Sequence, residues 1–183
     1  MEQSHILSEA LKQQFRNHGD VFVAADIPLV FEDGTTVTPT VLVAINTSDE
    51  ARTTWSVADE GGPDILIVAA GSPADVKDRY ESIGVRELFV IDYAAKKIVG
   101  YWLAPRGFAL ITPHDNGFLP SEELRLDLGF HEPKGVHPIV RFFTRRGEIL
   151  ETPAETEAIR RARIARLIET HEIEIDEHDK DHK

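Results

Sequence analysis

Residues 5–17 (HILSEALKQQFRN) place Ile6, Leu7, Ala10, Leu11 and Phe15 at helical spacing, which predicts a helix with one apolar face, stopped by Asn17 and Gly19. From Asp20 the period shortens. Residues 21–25 (VFVAA) and 28–31 (PLVF) read as strands, followed by turn chemistry at Glu32-Asp33-Gly34. Residues 39–45 (PTVLVAI) form a β-rich run that opens on a proline, and 46–62 read as a polar connection holding Trp55. Residues 65–70 (ILIVAA) are apolar without alternation, the pattern of a strand buried on both faces. Ser72 as N-cap and Pro73 at the first helical position start a helix over 74–83, which Gly84 closes. Residues 85–92 return to strand, with 97–103 (KIVGYWL) as hairpin partner. A third strand pair is expected from 107–112 (GFALIT) and 139–144 (IVRFFT), the latter turning at Arg146-Gly147-Glu148 into Ile149 and Leu150. This order predicts an α/β (α+β) domain with a mixed central β-sheet flanked by helices.

Residues 154–171 (AETEAIRRARIARLIETH) predict an extra C-terminal helix. Ile159, Ala162, Ile164, Ala165, Leu167 and Ile168 are too many apolar positions for a solvated helix and too irregular for a regular heptad. The helix is expected to dock on the domain or on a second copy, so a homodimer is one of the arrangements open at this point. Residues 172–183, charged and histidine-bearing, are expected to be a disordered acidic tail. The expected layout is a domain over 1–152, a helix over 153–171 and a tail over 172–183.

Composition narrows the chemistry. Among 183 residues there is no cysteine, which removes disulfides, thiolate zinc sites, iron–sulfur clusters and thiol nucleophiles together. The N-terminus lacks the basic start and apolar core of a signal peptide, and the longest apolar run is far short of the roughly 20 residues of a membrane span. A cytoplasmic location without membrane insertion is expected. No G-x-x-x-x-G-K-S/T loop exists, which argues against an NTPase. The formal charge is -12, from 32 acids against 20 Lys and Arg; residues 169–183 carry -5 of it, leaving -7 for the body. That balance opposes phosphate contacts, which depend on Lys and Arg displacing counterions.

One literal motif stands out: Pro63-Asp64 followed by Asp75-Val76-Lys77 spells a PD-(D/E)XK nuclease pattern, in which two carboxylates hold a divalent metal and a lysine orients water. Geometry opposes this literal triad. A single strand over 64–70 separates its ends by about 20 Å, so Asp64 and Asp75 cannot share an ion.

The same segments resemble a known family across residues 6–152. The matching stretches are 20–31 (DVFVAADIPLVF), 39–45, 52–55 (RTTW), 63–73 (PDILIVAAGSP), 77–92 (KDRYESIGVRELFVID), 100–103 (GYWL), 121–128 (SEELRLDL) and 147–152 (GEILET). Together they resemble the Uma-type restriction endonuclease family, a branch of the PD-(D/E)XK superfamily. The skeleton Tyr80-x-x-x-Gly84-Val85-x-Glu87-x-x-x-x-Asp92 is the most specific part. The resemblance implies a restriction endonuclease-like core, a Mg²⁺ cofactor and DNA as substrate. It places the first metal carboxylate just after the proline that opens the third strand and the second near the end of the next strand, brought together by antiparallel pairing.

Here those positions hold Thr40 and Ala69, or Val68 with a one-residue slip. None is a charged ligand, so the resemblance implies a degenerate member that does not bind the ion. The chain between Pro73 and Tyr80 is also short of the family pattern by roughly two helical turns, and Lys77 stands three residues before the tyrosine rather than four. Lys77 is therefore a displaced catalytic lysine or a surface residue, and Glu9 an additional acid from the first helix or a helix-face residue. An alternative is an active nuclease with a migrated site built from Asp75 and Lys77 with Glu9 or Asp78. Another is an interaction module that dimerises through the last helix and a sheet edge.

Bland readings fit the remaining candidates. His114-Asp115 lies in a Pro/Gly loop without an evident nucleophile, and His131 and His137 flank a turn at Pro133-Lys134-Gly135. His178 and His182 share helical spacing within an acidic tail, and Trp55 and Trp102 read as core or edge packing residues.

Overall fold

In the computed structural model, the predicted amphipathic start is helix α1 (Gln3–Phe15), with Leu7, Ala10 and Leu11 buried on one face. The structure describes residues 3–47, 52–70, 74–135 and 137–180, with side chains of α3 from Val76 and of α4 up to Ile168. The expected Ser72 cap and Pro73 start lie outside the described residues. Strands follow as β1 (Val21–Ala25), β2 (Leu29–Val30), β3 (Thr36–Val37), β4 (Val41–Ile45) and β5 (Trp55–Ser56). Next come a short helix α2 (Val57–Glu60), β6 (Ile65–Ala69), α3 (Ala74–Ser82), β7 (Glu87–Asp92), β8 (Lys97–Ala104) and β9 (Gly107–Leu110). The domain ends with β10 (Leu119–Ser121), β11 (Leu126–His131) and β12 (Ile139–Phe143).

The central sheet has six strands in the order β1-β4-β6-β7-β8-β9. β1, β4 and β6 pair antiparallel, α3 carries the chain over to a parallel β7, and β8 and β9 continue antiparallel. The chain is thus α+β with a mixed central sheet between helices, as its pattern predicts.

Both faces of the sheet are covered, which is why 65–70 shows no alternation. On one side, odd-numbered residues Val41, Val43, Ile65, Ile67, Phe89 and Ile91 pack against α1 and the sheet β10-β11-β12. On the other, even-numbered residues Leu42, Ala44, Leu66, Val68, Leu88 and Val90 pack with Tyr80 and Val85 of the α3 region and with Leu29 and Trp55 of the sheet β3-β2-β5. Trp55 is a core residue, its indole N–H donating to the Gly61 carbonyl at 2.9 Å.

Three expectations are corrected. Residues 107–110 pair with β8, not with 139–144; β12 pairs instead with β11, a strand the pattern did not announce. Leu126-Asp127-Leu128-Gly129-Phe130-His131 carries an Asp and a Gly that lower β propensity, yet Asp127 is buried in a polar network and Gly129 lies where Phe118 leaves no room for a Cβ. The polar connection over 46–62 contains β5 and α2. Helix α4 spans Pro153–Lys180, well past residue 171 and into the segment expected to be a disordered tail. No Gly or Pro interrupts 154–180 to stop it.

The chain divides into two units, Met1–Leu150 and Glu151–Lys183. Within the second, Thr152 and Glu155 form a capping box: the Thr152 N–H donates to Glu155 at 2.8 Å and the Glu155 N–H donates to the Thr152 hydroxyl at 3.3 Å. No helix among the described residues is long and apolar enough to cross a membrane.

Candidate functional site

The central sheet has two ends with different chemistry. At the first, β4 opens and β6 closes, and the antiparallel register pairs Val41 with Ile67, Leu42 with Leu66 and Val43 with Ile65. Continued one step beyond that ladder, the register would set residue 40, which precedes β4, opposite residue 68. The two positions singled out by the family resemblance are therefore neighbours. Alternation decides between Val68 and Ala69: Val68 shares the α3 side with Leu66 and Leu42, and so with position 40, whereas Ala69 falls on the α1 side. Thr40 and Val68 thus share a side, a hydroxyl against a hydrocarbon. Neither this pair nor Thr40 with Ala69 fits a magnesium ion, which needs at least one carboxylate.

The other candidate residues do not supply the missing acids. Asp64 sits at the opposite end of β6, where one carboxylate oxygen accepts the Ile45 N–H at 2.6 Å and the other lies 3.1 Å from the Arg86 Nε. Its backbone carbonyl accepts the N–H groups of Arg86 and Glu87. Asp64 is a clamp joining β4, β6 and β7. Glu9 is half-buried on α1 and pairs with Lys12 at 3.3 Å. Lys77 pairs with Glu81 one turn along α3 at 3.8 Å, and Glu81 in turn accepts the Phe108 N–H of β9 at 2.8 Å. Asp78 is exposed, and the Asp75 side chain lies outside the described residues. Among the described residues no group of three or more His, Asp or Glu side chains is placed to hold a metal ion.

The second end of the sheet, where β7 starts and β8 finishes, gathers the polar chemistry. Glu87 is 3% exposed, and its carboxylate accepts the Ser121 hydroxyl at 2.5 Å and the N–H groups of Glu122 and Glu123 at 2.8 and 3.3 Å. Burial pushes the Glu87 carboxyl above its ordinary range, against the opposing pull of those hydrogen bonds. The Ser121 carbonyl accepts from Arg145, which also contacts Asp127 at 2.9 Å and Glu122 at 3.0 Å; His114 lies 3.3 Å from Asp127. Outside this network a cleft of about 590 Å³ opens between Arg86, Trp102, Leu110 and Glu123. Trp102 is 46% exposed there, an edge residue rather than a core one. Arg86 is shared between Asp64 and Glu123, so the charged groups of the cleft are already paired within the fold.

The Glu87 network escaped sequence reading as a site, although Glu87 lies inside the most specific block of the resemblance. The roles of that block are structural throughout. Tyr80 is buried beside Phe31, Gly84 takes φ +78° to end α3, Val85 is fully buried, and Asp92 accepts the Ala95 N–H at 2.9 Å in the β7–β8 turn. These residues build the crossover and its sheet, whatever the chemistry at the other end.

No protein-family profile matches the chain, and no curated protein does. Among solved structures, the chain is similar to the crystal structure of a putative nuclease belonging to DUF820 from Anabaena variabilis ATCC 29413. Identity is 11%, the match covers 64% of this chain and 68% of that chain, and the TM-score is 0.47.

Proposed function

We propose that this protein is a degenerate Uma-type member of the restriction endonuclease-like group, one that keeps the fold as a binding scaffold without metal-dependent DNA cleavage at the family position. The observation that supports the reading is the β4–β6 register, whose continuation brings Thr40 and Val68 to one face, where the resemblance implies two carboxylates. A hydroxyl and an isopropyl group cannot replace the charged ligands of a hard divalent cation. The pairing of Lys77 with Glu81 supports the same reading, because it turns the candidate lysine toward the β9 edge. The acidic balance adds a second reason: without bound metal, a body at -7 repels the phosphate backbone.

Incubation of the full chain with supercoiled plasmid and with single-stranded DNA, in Mg²⁺ and in Mn²⁺, tests this. No cutting above a buffer control is expected. Metal-dependent cutting that disappears in both Asp75→Ala and Lys77→Ala would overturn it in favour of a migrated site.

A further inference from the structure

Helix α4 spans 28 residues, about 42 Å at 1.5 Å per residue, or four heptads. In proteins most helical stability comes from packing an amphipathic face rather than from propensity. Ile164, Leu167 and Ile168 are 43%, 58% and 53% exposed. At 100° per residue these positions share a stripe with positions 171 and 175, a histidine and an isoleucine in the sequence.

Charge says what covers that stripe. Residues 153–168 hold four arginines (160, 161, 163 and 166) against Glu155 and Glu157, a balance of +2. Glu157 serves both Arg160 and Arg161, at 2.7 and 2.8 Å, so one carboxylate answers two guanidinium groups. Residues 169–183 hold seven acids against two lysines, a balance of -5. The halves of one helix are thus opposite in sign. A parallel pair would stack arginine on arginine and acid on acid, whereas an antiparallel pair would set each half against its complement.

We infer that α4 is a dimerisation helix that pairs antiparallel with α4 of a second copy of this chain, about a two-fold axis between residues 169 and 170. That register sets position 164 opposite 175 and 168 opposite 171 along the stripe. On its flanks it brings Arg163 beside position 174 and Arg161 beside position 179, a glutamate and an aspartate in the sequence. The contact is isologous, as a two-fold axis requires.

Light scattering on the full chain reads the outcome. Twice the chain mass is expected at micromolar concentration, falling to a single chain mass in the double variant Ile164→Asp/Ile168→Asp with its unit-1 spectrum unchanged. A monomeric wild type, or a variant that stays dimeric, overturns the inference. Orientation is read independently by charge exchange. Arg161→Glu/Arg163→Glu and Glu174→Arg/Asp179→Arg should each be monomeric alone, and a one-to-one mixture should restore the doubled mass. If each remains dimeric alone, or the mixture stays monomeric beside a dimeric wild type, the antiparallel pairing is wrong.

Discussion

The two ends of the central sheet differ in what their side chains are occupied with. Where β4 opens and β6 closes, the sequence offers Thr40, Val68 and Ala69, groups with no charge to give a metal or a proton. Where β7 opens and β8 closes, Asp64, Arg86, Glu87, Ser121, Asp127 and Arg145 form a connected set, and each partner is another part of the fold. These six groups lie at the end of the sheet away from Thr40 and Val68. They hold strands, loops and the second sheet together.

The largest expected effect comes from Glu87. Glu87→Ala would leave the Ser121 hydroxyl and two loop N–H groups buried without their acceptor, at a cost of about 3 kcal/mol. For a domain of this size that is a fall of roughly 6–12 °C in melting temperature, while Thr40→Ala at the other end should cost less than about 0.5 kcal/mol. Urea unfolding of both variants checks the contrast, and equal losses would break it. The pH dependence sharpens it further. Because burial holds the folded Glu87 carboxyl above the usual range, its contribution is complete below that range and declines as pH rises through the folded value. Glu87→Gln cannot ionise, so its deficit against wild type should narrow as pH rises above the ordinary glutamate range.

A gain-of-site experiment tests the first end directly. Thr40→Asp/Val68→Asp places two carboxylates on one face, and Mn²⁺ should stabilise that variant by about 1.4–2.7 kcal/mol at 10 to 100 times its Kd. Thr40→Asp/Ala69→Asp puts them on opposite faces and should gain nothing. Thermal shift with and without Mn²⁺ separates the two. A response from the Ala69 variant alone would mean that the register, and the site built on it, is misassigned.

Next in size is Asp64. Asp64→Asn keeps the Ile45 contact but removes the charge facing Arg86, an expected loss of about 1–2 kcal/mol in urea unfolding. A loss below about 0.5 kcal/mol would show that the clamp is its backbone carbonyl alone.

Periodicity made the central sheet legible because both of its faces are buried: 41–45, 65–69 and 87–92 are nearly continuous apolar runs with nothing else they could form. The second sheet was hidden because β11 spends Asp127 on a tertiary ion pair and Gly129 on a close approach, both invisible without their distant partners. At the other end of the sheet the sequence shows directly that Thr40 and Val68 carry no carboxylate. That Val68 and not Ala69 faces Thr40 needed the observed cores on the two sides of β6.

The smallest effect expected is also the most discriminating for Lys77. Its ammonium lies 3.8 Å from Glu81 and is about one-third exposed, so Lys77→Ala should cost less than about 0.5 kcal/mol. Glu81 itself has more to lose. It accepts the Phe108 N–H at the start of the edge strand, and its carboxylate fills the space where a Cβ on Gly107 would stand, so Glu81→Ala should cost about 1 kcal/mol through β9. Urea unfolding of the two variants should therefore rank Glu81 above Lys77. If instead Lys77→Ala alters the Mn²⁺ response of the grafted Thr40→Asp/Val68→Asp protein while leaving stability untouched, the lysine reaches the first end of the sheet, and the division between the two ends fails there.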